Sequence, residues 1–327
     1  MSGGAARSAA VAPVLEAAGE EVRRLMARVE QQMLELSSGH GAALERHAGS
    51  TIAAGGKRLR PLLVCVAAGV PAPETDALVN AAVAVELLHA ATLVHDDVLD
   101  GSPLRRGLPT VVAAGGRLAA TATGDLLFSR AFAALVRSGR IESVRILSRA
   151  GAELAAGELM QRGDAWRSDL AVERYLERCR LKTAVLFRAA CELGALEGGG
   201  PALALGAFGE AIGLAFQLLD DVLDVSGPPE RTGKPRGADL LDGTVTLPLI
   251  LARRRDPALA TLDLRAIVTE AAAHEVCERI AASGALELAR ERARELVERA
   301  KRQLPELPPR QRSALELIAD GVLARYS

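Results

Sequence analysis

Two runs of aspartate carry the clearest chemical signal in this sequence. Asp96-Asp97-Val98-Leu99-Asp100 recurs 124 positions later as Asp220-Asp221-Val222-Leu223-Asp224. Each run ends an apolar stretch that reads as a helix, so Asp96 and Asp100 share one face, as do Asp220 and Asp224. Carboxylates at a helix C-terminus oppose the macrodipole, at ~0.3–1 kcal/mol each when exposed. Three acids on one turn also repel one another. A chain that accepts this twice gains from a cation. Aspartate oxygens suit a hard ion such as Mg²⁺, which keeps several waters and is usually completed by substrate phosphates. A single such run would read as a solvated acidic helix end; the repetition favours metal.

Phosphate needs cations and backbone donors, and both are present. Gly55-Gly56-Lys57-Arg58-Leu59-Arg60 offers amides beside three positive charges, with Pro61 halting immediate continuation of the segment. Arg105-Arg106-Gly107 follows Asp100 closely, where guanidinium forks suit a diphosphate. Neither glycine-lysine site is a Walker loop: no glycine stands at position 51 or 228, and Pro235 follows Lys234 where Ser or Thr is required. Alone, each basic cluster would be ordinary surface. Beside paired aspartates, diphosphate binding is the better reading.

From Gly55 to Pro248 the ordered motifs resemble the polyprenyl synthetases, a family of trans-isoprenyl diphosphate synthases. The resemblance is carried by Gly55-Gly56-Lys57-Arg58-Leu59-Arg60-Pro61, Glu86-Leu87-Leu88-His89, His95 with the first aspartate run, and Arg105-Arg106-Gly107-Leu108-Pro109-Thr110. Gly124-Asp125, Lys182-Thr183, Phe216-Gln217-Leu218-Leu219 with the second run, Gly233-Lys234-Pro235 and Thr246-Leu247-Pro248 complete it. It implies that Asp96, Asp100 and Asp220 bind a small Mg²⁺ cluster bridging both motifs to an allylic diphosphate. Asp97, Asp221 and Asp224 would be ligands or supports. Lys57, Arg60, His89 and Arg106 would hold isopentenyl diphosphate. Arg105, Lys182, Gln217 and Lys234 would hold the allylic diphosphate, with Thr183 beside the developing carbocation. Lys182, Thr183 and Gln217 are thus the implied catalytic side chains.

One departure concerns Gly243-Thr244-Val245-Thr246, where members of that family often carry Gly-Lys-x-Thr; no diphosphate contact is assigned to Thr244. His95 and Cys191 are read as packing residues. Gly124-Asp125 reads as the start of a helix beginning near Thr121, with Asp as its cap.

The elements that must position these groups are helices. Ala and Leu dominate and aromatics make up 2% of the chain, a balance that favours helix over strand. Helical patterns run over Leu15–Leu36, Asp76–Leu99, Gly206–Val225 and Leu286–Gln303, the last as an outer amphipathic helix. No repeat or linker divides the chain. Residues 1–12 read as a disordered tail and 13–327 as one domain. The expected fold is all-α, and the resemblance implies an antiparallel helical bundle around a central cavity, the isoprenoid synthase fold.

A net charge of −1 gives no reason to expect nucleic acid. Cys65, Cys179, Cys191 and Cys277 are scattered, form no CxxC pair, and read as buried thiols in a reducing compartment. The longest uncharged stretch, Pro61–Pro73, is short of the roughly 20 apolar residues that span a bilayer, so no transmembrane segment is expected. The chain is expected to be cytoplasmic and, by the resemblance, a homodimer, with transient membrane contact for product release.

The resemblance makes isopentenyl diphosphate and an allylic diphosphate, farnesyl or geranylgeranyl, the substrates. In short-chain members bulky aromatics sit four or five residues before the first aspartate; here those positions are Thr92 and Ala91, both small. With Leu88 they are candidate tunnel liners, and products of about C30 or longer are expected. Phe128 and Phe132 share a helix face and are a candidate floor or ordinary core. The alternatives are a short-chain geranylgeranyl or farnesyl diphosphate synthase, a terpene cyclase, a noncatalytic subunit of a heteromeric synthase, and a helical scaffold.

Overall fold

The computed structural model describes residues 12–105, 107–227 and 235–324. The expected tail, apart from Ala12, and the expected site residues Arg106 and Lys234 lie outside them. The described chain is all-α apart from one two-stranded ribbon. It divides into two compact units. The first holds the described residues up to Gly151, with Leu186–Gly209 and Gln303–Gly321; the second holds Ala152–Val185, Glu210–Arg302 and the described residues from Val322 on.

In the first unit a short helix α1 (12–18) is broken at Gly19 (φ 91°) from α2 (Glu20–Leu36), so the pattern starting at Leu15 is two helices. Then follow α3 (Ala42–Ala53), α4 (Leu59–Ala67) and α5 (Asp76–Asp100). Pro61 does not stop a helix; it lies in the first turn of α4, where a missing N–H is tolerated. The C-terminal carbonyls of α4 are satisfied by Gln311, whose Nε2 donates to Val66 O at 3.1 Å and Ala67 O at 3.0 Å.

Helix α5 starts at a Thr75 cap accepting from the Leu78 amide and ends at left-handed Gly101. It is apolar all round and buried along most of its length, which marks a central helix. Together with α10 (Ala202–Ser226) it is long and apolar enough to cross a bilayer, but 78% of its apolar window is buried inside the protein, against 50% for α10.

Strands β1 (Leu104–Arg105) and β2 (Leu108–Pro109) pair antiparallel and lead into α6 (Val111–Val136), which packs along α5. Its cap is Thr110 and it kinks at Gly116. The expected helix start at Thr121 to Asp125 is therefore corrected: those residues lie mid-helix. Gly124 is needed for close approach, since a Cβ there would sit 2.2 Å from His95 Nε2. Asp125 caps nothing and instead faces His95 Nε2 at 3.3 Å. The first unit also takes in the start of α7 (Ile141–Asp164), nearly all of α9 (Val185–Gly198) and most of α16 (Pro309–Ala324).

In the second unit α8 (Val172–Cys179) passes directly into a π-helical turn, Arg180–Ala184. After α10 come α11 (Ala238–Leu241), α12 (Leu247–Arg253), α13 (Pro257–Thr261), α14 (Glu270–Ala282) and α15 (Ala285–Arg302). The last is the expected outer helix. It buries Ala289, Ala293, Leu296 and Ala300 on one stripe and pairs Glu287 with Arg294 at 2.5 Å in solvent.

Candidate active site

The first aspartate run forms the last turn of α5. Asp96 is half-buried, Asp100 is exposed, and Asp97 is only 4% exposed. Arg105, on β1, lays its guanidinium across the Asp97 carboxylate, with Nε at 2.9 Å and Nη2 at 2.7 Å from Oδ1. The Asp97 carbonyl accepts from the Ser102 amide, and Thr110 Oγ1 donates to Ser102 O at 2.6 Å. Asp97 is thus an anchor that ties the ribbon to the helix, while the carboxylates of Asp96 and Asp100, one turn apart, are the more accessible pair.

The basic segment before α4 is organised around Arg58. It holds a left-handed conformation (φ 47°) and reaches Glu30 Oε1 at 2.5 Å, Glu86 Oε1 at 3.0 Å and Ile52 O at 2.9 Å. The Arg58 charge is therefore engaged within the protein. Lys57 and Arg60 flank it, both half-buried. The Arg60 guanidinium stacks 4.8 Å from the Phe187 ring centroid, which orients its planar fork. His89, half-buried on α5, offers its carbonyl to Thr92 Oγ1 at 2.8 Å. Leu88 and Ala91 are fully buried and Thr92 is half-buried. The rings of Phe128 and Phe132 are in contact, centroids 5.1 Å apart.

In the second unit the π turn carries Lys182 and Thr183. A π turn inserts an extra residue and re-aims the side chains that follow. Glu158 Oε2 lies 2.5 Å from Lys182 Nζ, and a Cβ on Gly157 would meet the Lys182 amide nitrogen at 2.7 Å. Thr183 Oγ1 donates to Gln217 Oε1 at 2.6 Å, and Gln217 Nε2 donates to Asp221 Oδ1 at 2.7 Å. The buried Tyr175 hydroxyl donates to Asp221 Oδ2 at 2.6 Å.

Burial, then the charges of Asp239 and Asp220, push the Asp221 carboxyl up to about 8, against the pull of its hydrogen bonds from Tyr175 and Gln217. Asp221 repeats the pattern of Asp97: it is 4% exposed and bonded within the protein, while Asp220 is exposed and Asp224 half-buried. Asp224 Oδ2 accepts from the Asp239 amide at 3.4 Å. The loop carrying Thr244 is fastened at both sides. Trp166 donates its amide to Gly243 O at 2.8 Å, Thr244 donates to Asp239 O at 2.8 Å, and Arg178 Nη2 reaches Val245 O at 2.5 Å.

The structure thus joins Asp97 with Arg105, and Thr183 with Gln217 and Asp221. Glu158, Tyr175 and the inward role of Arg58 are not apparent from the motifs. Tyr175 stands eight residues before Thr183 on the same run of helix, and Glu158 follows a glycine; neither signal is specific. Among the described residues no group of three or more His, Cys, Asp or Glu encloses a metal by itself. Two carboxylates per helix end, completed by water and phosphate oxygens, is a donor set that fits Mg²⁺.

The polyprenyl synthetase family model matches residues 42–283, and this chain belongs to that family of isoprenyl diphosphate synthases, which are prenyltransferases of isoprenoid biosynthesis with the all-α isoprenoid synthase fold. Heptaprenyl diphosphate synthase component 2 of Geobacillus stearothermophilus is 39% identical over 254 residues, covering 76% of this chain and 79% of the relative. Geranylgeranyl diphosphate synthase of Methanosarcina mazei is 36% identical over 288 residues, covering 83% and 86%. Among solved structures, a polyprenyl synthase from Caulobacter crescentus complexed with calcium and isoprenyl diphosphate superposes with a TM-score of 0.89 at 39% identity, covering 93% and 96%.

Proposed function

We propose that this chain condenses isopentenyl diphosphate head-to-tail onto farnesyl or geranylgeranyl diphosphate, giving an all-trans polyprenyl diphosphate of about C30 or longer. The observation that carries the reading is the hydrogen-bonded set Thr183–Gln217–Asp221 beside Lys182, with a carboxylate pair, Asp220 and Asp224, on the same helix as Gln217. Such a set has cation, carboxylates and amide but no nucleophile–base pair, which suits ionisation of an allylic ester.

Asp96, Asp100, Asp220 and Asp224 would hold Mg²⁺, with Asp97 and Asp221 as their supports. Bound Mg²⁺ supplies neutralisation of the charge that develops on departing diphosphate. Lys182, Arg105 and Lys234 hold the allylic diphosphate, and Lys57, Arg60, His89 and Arg106 hold isopentenyl diphosphate. Thr183 and Gln217 turn oxygen atoms toward the allylic carbon as it becomes cationic. The isopentenyl double bond attacks that carbon, and the proton lost afterwards passes to the released diphosphate. Apolar walls exclude the water that would quench the cation to an alcohol.

The long-chain reading rests on the small residues Ala91 and Thr92 one turn before Asp96. The chain acts in the cytoplasm as a homodimer, touching membrane only to release product. The test is incubation of the purified chain alone with isopentenyl and farnesyl diphosphates and Mg²⁺, with products separated by chromatography. Polyprenyl products of C30 or longer support the proposal. Products ending at C15 or C20 establish the short-chain alternative. Turnover only after adding a second polypeptide moves the chain to the heteromeric class named for its Geobacillus relative.

A further inference from the structure

Four side chains of the second unit form one continuous hydrogen-bonded chain, Tyr175–Asp221–Gln217–Thr183, with links of 2.6, 2.7 and 2.6 Å. Its direction is given by the donors. Gln217 turns its NH₂ group to Asp221 Oδ1, and Tyr175 donates to Oδ2, so both carboxyl oxygens act as acceptors. The amide oxygen of Gln217 then faces Thr183 and accepts its hydroxyl hydrogen. With that hydrogen committed, the lone pairs of Thr183 Oγ1 are turned away from Gln217.

The far end of the chain is equally constrained. Tyr175 is fully buried, and burial raises its hydroxyl well above the ordinary phenol range, so it stays a donor. Its O–H satisfies the carboxylate oxygen that Gln217 does not. An interior carboxylate oxygen deprived of its donor is costly, and the site then gains by rotating groups until the oxygen finds another. Gln217 is the group free to do so, because its two amide ends are nearly isosteric.

We propose that Tyr175 is a positioning residue which, through Asp221 and the Gln217 amide, holds Thr183 with its oxygen lone pairs presented and its hydrogen withdrawn, a polarity that favours a cationic ligand carbon over a neutral one. This rests on the prenyl-transfer reading above. Tyr175 touches no reacting atom in this scheme; Asp221 and Gln217 stand between it and Thr183.

The test compares two unreactive ligands by calorimetry in the presence of Mg²⁺: a neutral farnesyl thiolodiphosphate, and an ammonium analogue that carries positive charge at the allylic carbon, supplied with diphosphate. Tyr175→Phe removes one oxygen and keeps the ring. It is expected to weaken the ammonium ligand about tenfold, leave the thiolodiphosphate within twofold, and lower kcat with little change in allylic KM. In a Thr183→Val background the same substitution should have no further effect. Should Tyr175→Phe fail to fold by circular dichroism, Gln217→Leu interrupts the same chain and must show the same charge-selective loss. Equal weakening of both ligands, no weakening of either, or additive effects with Thr183→Val overturn the proposal. A wild-type chain that neither turns over nor binds either ligand overturns the prenyl-transfer reading, and the proposal with it.

Discussion

Glu158 holds the ammonium of Lys182 at 2.5 Å, and both side chains are mostly shielded from solvent. A diphosphate arriving at Lys182 must compete with that carboxylate. Glu158→Gln keeps the shape and removes the competing charge. It is expected to lower the apparent KM for the allylic substrate about threefold, the scale of a partly exposed ion pair, and to lower kcat as Lys182 loses its fixed aim. Lys182→Met should raise that KM at least tenfold. Steady-state titration of the allylic substrate checks both; a KM that rises in Glu158→Gln refutes the competition.

The three aspartates of each run should separate into two behaviours. Asp96→Ala and Asp220→Ala are expected to lose roughly a thousandfold in turnover, equivalent to about 4 kcal/mol of transition-state stabilisation. Their Tm should hold or rise, because a charge opposing the helix dipole is removed. Asp97→Ala instead strands Arg105 and should cost about 1–3 kcal/mol of stability, visible as a Tm several degrees lower. Calorimetric melting beside activity measurements distinguishes the patterns.

Gly157→Ala places a methyl group 2.7 Å from the Lys182 amide nitrogen. Backbone cannot yield as a side-chain tip does, so the π turn must shift. A stability loss of about 1–3 kcal/mol and a larger proportional fall in kcat are expected. Retention of full activity would mean that the turn tolerates displacement.

All four cysteines are buried. Burial pushes the thiols of Cys65 and Cys277 up to about 12 and raises those of Cys179 and Cys191 further. Thiolate is the reactive form, and it becomes appreciable only as pH rises toward those values. At pH 8 a thiol titrating near 12 is ionised in about one molecule in ten thousand. Ellman titration of the native chain at pH 8 should therefore show no fast-reacting thiol, and four after denaturation. A rapidly labelled cysteine in the native chain contradicts this.

Ala91→Phe and Thr92→Phe should shorten the products, since an added ring occupies volume the growing chain requires. Ala91 is fully buried, so its variant should also lose stability through overpacking, by about 1–3 kcal/mol. Thr92 is half-buried and should be better tolerated. Unchanged product lengths in both variants would place the tunnel elsewhere.

The helices and the aspartate runs were legible because their signals are short-range: composition, and identical residues at fixed spacing. By residue type alone Asp96, Asp97 and Asp100 look alike; the family resemblance sets the outer two apart and leaves Asp97 a ligand or a support, and only the fold brings Arg105 onto it. Gly124-Asp125 misleads for a related reason. Glycine followed by aspartate is ordinary helix-start chemistry, but here the glycine answers to His95 on another helix, a contact no local window contains. Pro61 reads as a break in the sequence, although a first helical turn accepts proline. The connection of Tyr175 to Thr183 passes through Asp221 and Gln217, which stand more than thirty residues further along the chain and meet them only after folding.

The burial of Asp97 and Asp221 has a consequence for the rhythm of turnover. The middle aspartate of each run is held by protein donors, which tie down the helix end that carries its neighbours. On the proposed function, each cycle would exchange water, phosphate and cation at Asp96, Asp100, Asp220 and Asp224 without re-forming the helix ends that carry them. The ordering entropy of those two turns is settled once, when the chain folds, and is not charged again at every catalytic event.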